Sequence, residues 1–218
     1  MGGKRRGGTS DTASDILDIA ERLVQTRGFN GFSYADVAEE LAVSKASLHY
    51  HFPGKAELGE ALITRYTDRF AEALVEIDAG DGDPRDKLVA YAGLYADVLR
   101  NQRMCLCGML AAEYETLPGP MREAVVRFFG LNETWLRKVL TQGRREGRLT
   151  FAGSAKEAAR LIIGGLEGAM LVARAQGEVA RFRTTAERLI ASFAGASAGT
   201  NSPRDHPNRG ERGGSVRR

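Results

Sequence analysis

Two groups of side chains in this chain have types and spacing suited to chemistry. The first is Lys45, Ser47, His49, Tyr50 and His51, all within one short stretch that Ser44 can cap as a helix. There they make a polar, aromatic face, while Ala46 and Leu48 are expected to turn inward. Such a face offers hydrogen bonds to base edges and phosphates in a DNA major groove. The same pattern equally suits a three-helix scaffold with a solvated polar side. The second group is Cys105 and Cys107, at the start of another short helix, with Arg100 and Arg103 close by in sequence. A thiol near a helix N-terminus and beside cations is expected to have a lowered pKa and to be nucleophilic. The alternative is two small buried apolar side chains.

The elements that must position these residues read as helices almost throughout. Thr12-Ala-Ser-Asp15 has the form of a capping box and opens a helix to Arg27, with Ile16, Ile19, Ala20, Leu23 and Val24 on one stripe. Ser33-Tyr-Ala-Asp36 opens a second, short helix in which Ala38 meets the next helix, and Leu41-Ala-Val-Ser44 turns the chain into the third. Longer helices are expected over Lys55 to Ile77, from Asp83-Pro84 to about Asn101, and from Met121 to about Glu146. Others run from Ser154 to about Gln176 and from Val179 to about Ala194, and a short one from Leu106 to Thr116. The spacing predicts an all-α, nine-helix architecture in two domains: a basic arm over 1–11, a helix-turn-helix domain over 12–58, a larger helical domain over 59–195 and a tail over 196–218.

Composition narrows the function class. The chain has 218 residues, 43% hydrophobic and 27% charged, enough for a packed core without disulfides or metals. Two cysteines are no disulfide framework and point to a reducing, cytoplasmic setting. The best apolar run, Leu161 to Ala173, is interrupted by Glu167 and glycines, so no membrane span is expected. The basic N-terminus has no apolar run behind it, so no secretory leader is expected either. Net charge is +3, yet Lys4, Arg5 and Arg6 at one end and five arginines in the tail leave the body between them acidic. A cysteine enzyme is disfavoured: no histidine neighbours either thiol, and no Gly-rich phosphate loop or metal-spaced cluster occurs. No cofactor or metal is expected.

The stretch from Gly28 to Leu58, GFNGFSYADVAEELAVSKASLHYHFPGKAEL, closely resembles the signature of the TetR family of transcriptional regulators. The resemblance implies a DNA-binding head, a C-terminal ligand-binding and dimerisation domain, and repression of a palindromic operator relieved by a small molecule. It also implies roles for individual residues. Lys45, Ala46 and Ser47 face bases, with Ala46 against a thymine methyl. His49, Tyr50 and His51 divide base and phosphate contacts among them. Ser33 and Tyr34 receive a phosphate at a helix N-terminus, Lys55 clamps another, and Lys4, Arg5 and Arg6 form a flexible arm. The family commonly has Tyr where His49 stands, which leaves the division between His49 and Tyr50 open.

Two heads about one helical turn apart require a homodimer. For its interface the resemblance implies Leu161, Gly165, Leu166, Gly168, Ala169 and Val172 with Phe182, Leu189 and Phe193. The effector pocket is expected among Tyr66, Phe70, Tyr91, Tyr95, Met109, Tyr114, Phe128, Trp135 and Met170, with Cys105 and Cys107. The cysteine segment is also similar to a branch of the family that answers electrophiles or unsaturated acids through a reactive cysteine. A helical interaction module and a sensor whose cysteines, not a pocket ligand, carry the signal remain the alternatives. Release is expected to run from the sixth helix through the fourth, which swings the heads apart.

Overall fold

The computed structural model describes residues 9–194, so the Lys4–Arg6 arm and the arginine-rich tail lie outside the described residues. Within them, nine α-helices follow in order: α1 Thr9–Arg27, α2 Tyr34–Leu41, α3 Lys45–His51, α4 Lys55–Ala79, α5 Pro84–Arg100, α6 Leu106–Ala112, α7 Gly119–Arg145, α8 Ala155–Gln176 and α9 Val179–Ala191. A 3₁₀ turn, Tyr114–Thr116, follows α6, where a single helix to Thr116 was expected. Helix α1 begins three residues before the capping box at Thr12. No strand forms among the described residues, only one isolated bridge between Leu149 and Ala194.

Local chemistry explains the boundaries. Ser44 accepts the Ser47 N–H at 3.2 Å, and Asp83 accepts those of Arg85 and Asp86, with Pro84 at the first helical position. Between α2 and α3, Ala42 adopts a left-handed φ of 54°, and the N–H of Val43 returns to Ala38 O at 3.0 Å. That tight reversal sets α3 against α2 with Ala38 buried between them.

Several polar contacts fix the head, α1–α3, to the larger domain. Arg65 of α4 bonds Asp18 at 2.8 Å and the buried Glu21 at 2.9 Å, and Arg69 also bonds Glu21. At the C-terminal end of α1, Arg174 of α8 donates to Gln25 O at 3.0 Å and Thr26 O at 2.7 Å, satisfying carbonyls the helix leaves free. The Glu113 carboxylate, at the end of α6, accepts the N–H groups of Phe29 at 2.6 Å and Asn30 at 3.2 Å. Helices α8 and α9 pack on each other and on α7 and α5, closing one continuous apolar core.

Candidate functional site

The α2–turn–α3 geometry turns one face of α3 outward. Leu48 is buried, whereas Lys45, Ala46, His49 and Tyr50 are exposed, so Ala46 faces solvent and not the core. Ser47 and His51 are half-buried. The two aromatic candidates differ in freedom. His49 is pinned, its Nδ1 2.9 Å from Pro53 O and its ring against Tyr34 at 4.8 Å. Tyr50 is 77% exposed and meets His51 edge-on, which makes it the long, exposed aromatic side chain of the face.

Of the expected phosphate ligands, Ser33 and Lys55 are occupied elsewhere, and the Tyr34 hydroxyl is engaged within the chain. The Tyr34 hydroxyl lies 2.9 Å from Phe52 O and 2.6 Å from Gly54 O, which locks the end of α3 to the start of α4. Its burial, helped by Glu57, raises the phenol to about 12. Ser33 donates both its N–H and its hydroxyl to Asp36, at 2.7 and 2.6 Å, so a carboxylate stands where a phosphate was expected. Lys55 points into the head: its ammonium donates to Phe29 O and Phe32 O and sits over both rings, 4.6 and 4.3 Å from their centroids. Burial lowers its pKa, opposed by Glu113 and Asp36. Sequence spacing placed Lys55 at the right helix position but could not see that its loop partners lie inward.

Lys55→Ala is therefore expected to destabilise the fold by about 2 kcal/mol, the scale of hydrogen bonds to a charged group. The salt dependence of DNA binding should stay as it was. Denaturant unfolding and a salt titration measure the two effects. A log–log slope reduced by roughly one per chain would put the ammonium on a phosphate after all.

In the larger domain, Tyr66, Phe70, Tyr91, Tyr95, Phe128 and Trp135 gather into one aromatic cluster. Phe70 meets Phe128 edge-on at 5.2 Å, and Trp135 stacks on Tyr91 at 5.5 Å. The Tyr91 hydroxyl donates to Asn132 Oδ1 at 2.9 Å and is 3.1 Å from that of Tyr95; Asn132 is fully buried and was missed by the sequence reading. Met170 is buried on α8 and Met109 half-buried on α6. Tyr114 sits in the turn after α6 under Arg122, 5.9 Å from its ring, apart from those aromatic contacts. An opening of about 900 Å³ lies at the edge of the cluster between α4 and α7, beside Asp78, Trp135 and Lys138.

Both cysteines are free and buried. Cys105 caps α6, its Sγ accepting the Gly108 N–H at 3.4 Å. The expected acidification by arginine is overturned. Arg100 pairs with the exposed Asp97, Arg103 lines the cleft beyond Tyr66, and neither is among the groups that shift the thiols, which are raised by burial and by the Glu167 carboxyl. Burial pushes the Cys105 thiol well up, and Glu167 and Cys107 add to that; the Gly108 N–H opposes it. Burial likewise raises Glu167 to about 7, with the Cys105 side chain pulling the other way. Its only sequence signal was an acid interrupting the apolar run of α8.

Helix α8 divides the expected interface residues between two sides. Leu166 is buried within the chain, as are Phe182 and Phe193 of α9, so these three belong to its own core. Ala169 and Leu189 are half-buried, and Leu189 fills the space beside Gly165. Leu161 and Val172 are at least half exposed, as is Leu171, and Gly168 is open between them. Among the described residues no helix is long and apolar enough to cross a membrane, and no cluster of three metal-ligating side chains occurs.

An α2–turn–α3 head with an outward polar face, carried on an all-helical second domain, defines a helix-turn-helix transcription regulator. The comparisons with known proteins agree. Residues 16–62 match the family model of bacterial regulatory proteins of the tetR family, and residues 84–189 match that of the tetracyclin repressor-like C-terminal domain. The chain belongs to the TetR family of transcriptional regulators. It is similar to a TetR-family regulator from Agrobacterium tumefaciens, with 32% identity, a TM-score of 0.83, and 86% of this chain and all of that one covered. The transcriptional repressor NemR of Escherichia coli K12 is 29% identical over 75% of this chain and 84% of its own length. The crystal structure of reduced E. coli NemR gives a TM-score of 0.75 at 26% identity, over 84% of this chain and 97% of that one.

Proposed function

We propose that the chain is a homodimeric repressor that reads a palindromic operator with α3 and lets go when a small molecule engages its buried core. The observation that carries this reading is the division of α3: Leu48 locked inside, with Lys45, Ala46, His49 and Tyr50 free outside. An isolated scaffold helix gains nothing from a tyrosine 77% exposed, whereas a major-groove helix uses it. The dimer reading is supported by the outward apolar stripe of Leu161, Leu171 and Val172 on α8, where Gly164 and Gly168 allow a second helix to approach closely.

For the signal, the place of Cys105 at the start of α6, between the larger domain and the head, supports covalent capture of an electrophile there. Helix α6 touches the head at both ends. The N–H of Met104, next to Cys105, donates to Gln25 O at 3.1 Å, and Glu113 at the far end holds Phe29 and Asn30. An adduct at a fully packed sulfur must move α6, and α6 moves α1 directly, a shorter route than the expected one through α4. Operator release by an alkylating electrophile, measured for the wild type, Cys105→Ser and Cys107→Ser, tests this. Release should fail in Cys105→Ser; release as complete as in the wild type removes the thiol reading.

Glu113→Ala is expected to weaken that coupling. Two backbone N–H groups lose a charged acceptor, so stability should fall by about 2 kcal/mol. The electrophile needed for half-release should rise at least severalfold relative to the wild type. Unchanged half-release would send the signal through another contact.

A further inference from the structure

Glu167 has no task in the reading above, yet it lies at the centre of the buried thiols. It reaches from α8 to α6 through the space left by Gly108, where an added Cβ would come within 2.3 Å of its Oε2. Its Oε1 is enclosed and has no hydrogen-bond partner. Its charge adds to the burial that raises the buried thiols of Cys105 and Cys107 and the buried phenols of Tyr66, Tyr91 and Tyr95, so all five are neutral at physiological pH. A buried carboxyl with an open lone pair and, among the described residues, no cation shifting it is costly to keep, and handling a proton is a task that suits one. Cys105 differs from Cys107 in having the Gly108 N–H aimed at its sulfur, ready to stabilise developing negative charge. Beyond Tyr66 a cleft of about 300 Å³ opens between α1, α4 and α5, with the unpartnered Oε1 of buried Gln25 in its lining.

We propose that Glu167 is the proton acceptor that activates Cys105 toward a small α,β-unsaturated carbonyl compound entering past Tyr66. The inference rests on the thiol reading and adds the group that makes it chemically workable. A thiol this deeply buried cannot ionise unaided at neutral pH, and among the described residues no cation helps it. With the carboxylate as base, the Sγ proton passes to Glu167 while the sulfur pair attacks the β-carbon. The C–S bond forms as the C=C π pair moves into an enolate, and the carboxyl proton is then delivered to the α-carbon. The net change is addition of S–H across the double bond, and Glu167 returns to its starting form without oxidant, metal or other reagent.

The experiment follows alkylation of Cys105 by N-ethylmaleimide, resolved by peptide mass mapping, from about pH 5.5 to 9.5. It uses the full chain as wild type, Glu167→Gln, Glu167→Asp and Cys107→Ser. The wild-type rate should climb through neutral pH and level off above it. Glu167→Gln should be slower by at least about tenfold at pH 7 and gain rate only where the thiol itself ionises. Glu167→Asp, which keeps the acid, should recover part of the rate and the neutral inflection, and carries the comparison should Glu167→Gln fail to fold. Cys107→Ser should follow the wild type. A Glu167→Gln rate equal to or above the wild type would overturn the assignment, since the carboxylate would then only repel the thiolate. A wild-type Cys105 that stays unmodified while the reagent reaches other groups would overturn the thiol reading itself, and the assignment with it.

Discussion

Replacing both Lys45 and Tyr50 by Ala is expected to lower operator affinity by two orders of magnitude or more, with the fold intact. Both side chains stand in solvent on the outer face of α3 and hold up nothing behind them, so stability should change by no more than about 0.5 kcal/mol. Each is placed to make a base or phosphate contact worth about 1–3 kcal/mol, and in a dimer each occurs twice. The singles should separate the two kinds of contact. Lys45→Ala removes a cation and should reduce the salt slope by roughly one per chain; Tyr50→Ala should weaken binding at every salt concentration and leave the slope alone. His49→Ala should cost less binding than Tyr50→Ala, because its ring already packs against Tyr34 and bonds Pro53. Fluorescence titrations of a captured operator at several salt concentrations read all of this. Wild-type affinity in the double variant would remove α3 from the DNA interface.

The second large effect concerns Glu167 and pH. In the unfolded chain its carboxyl titrates near 4.5, whereas burial raises it to about 7 in the fold. Between those values the folded state holds more protons, so the stability Glu167 allows is full below the lower value and lost as pH rises through the upper one. The complete difference amounts to about 3 kcal/mol. Glu167→Gln keeps the shape without the ionisation. It should therefore nearly match the wild type at about pH 5 and exceed it by up to about 3 kcal/mol at about pH 8. For a chain of this length that is a gap in Tm on the order of 5–10 °C. Thermal unfolding of the two proteins across this range checks it. A gap independent of pH would mean that the folded state supplies Glu167 with a compensating charge.

Much of this architecture was legible because its signals are local. The Ser33, Ser44, Asp83 and Ser154 caps, Pro84 at a first helical position and the Pro53–Gly54 stop act within a few residues of themselves, and the helices start or stop there. The start of α1 was misplaced because Thr12 offered a cap that the helix runs straight through. What sequence could not supply was the direction of side chains whose partners are distant in the chain. Lys55 looked like a phosphate ligand by position, but the carbonyls of Phe29 and Phe32 claim its ammonium. Helix α8 is apolar nearly all round, so periodicity could not tell Leu166, which faces its own chain, from Leu161, which faces out. Arg100 and Arg103 are close to the cysteines along the chain, yet burial governs the thiols, and the charged group that adds to it is Glu167, 62 positions beyond Cys105.

The claim on which the account depends is that two copies of α3, held by one dimer, read successive grooves on one side of a duplex. Capturing genomic fragments with the purified protein at physiological salt, and sequencing them, tests it most directly. The account predicts one enriched motif with twofold symmetry and half-site centres about 10 base pairs apart, lost with Lys45→Ala and Tyr50→Ala together. Enrichment of a motif without that symmetry, or none above non-specific DNA, would contradict it.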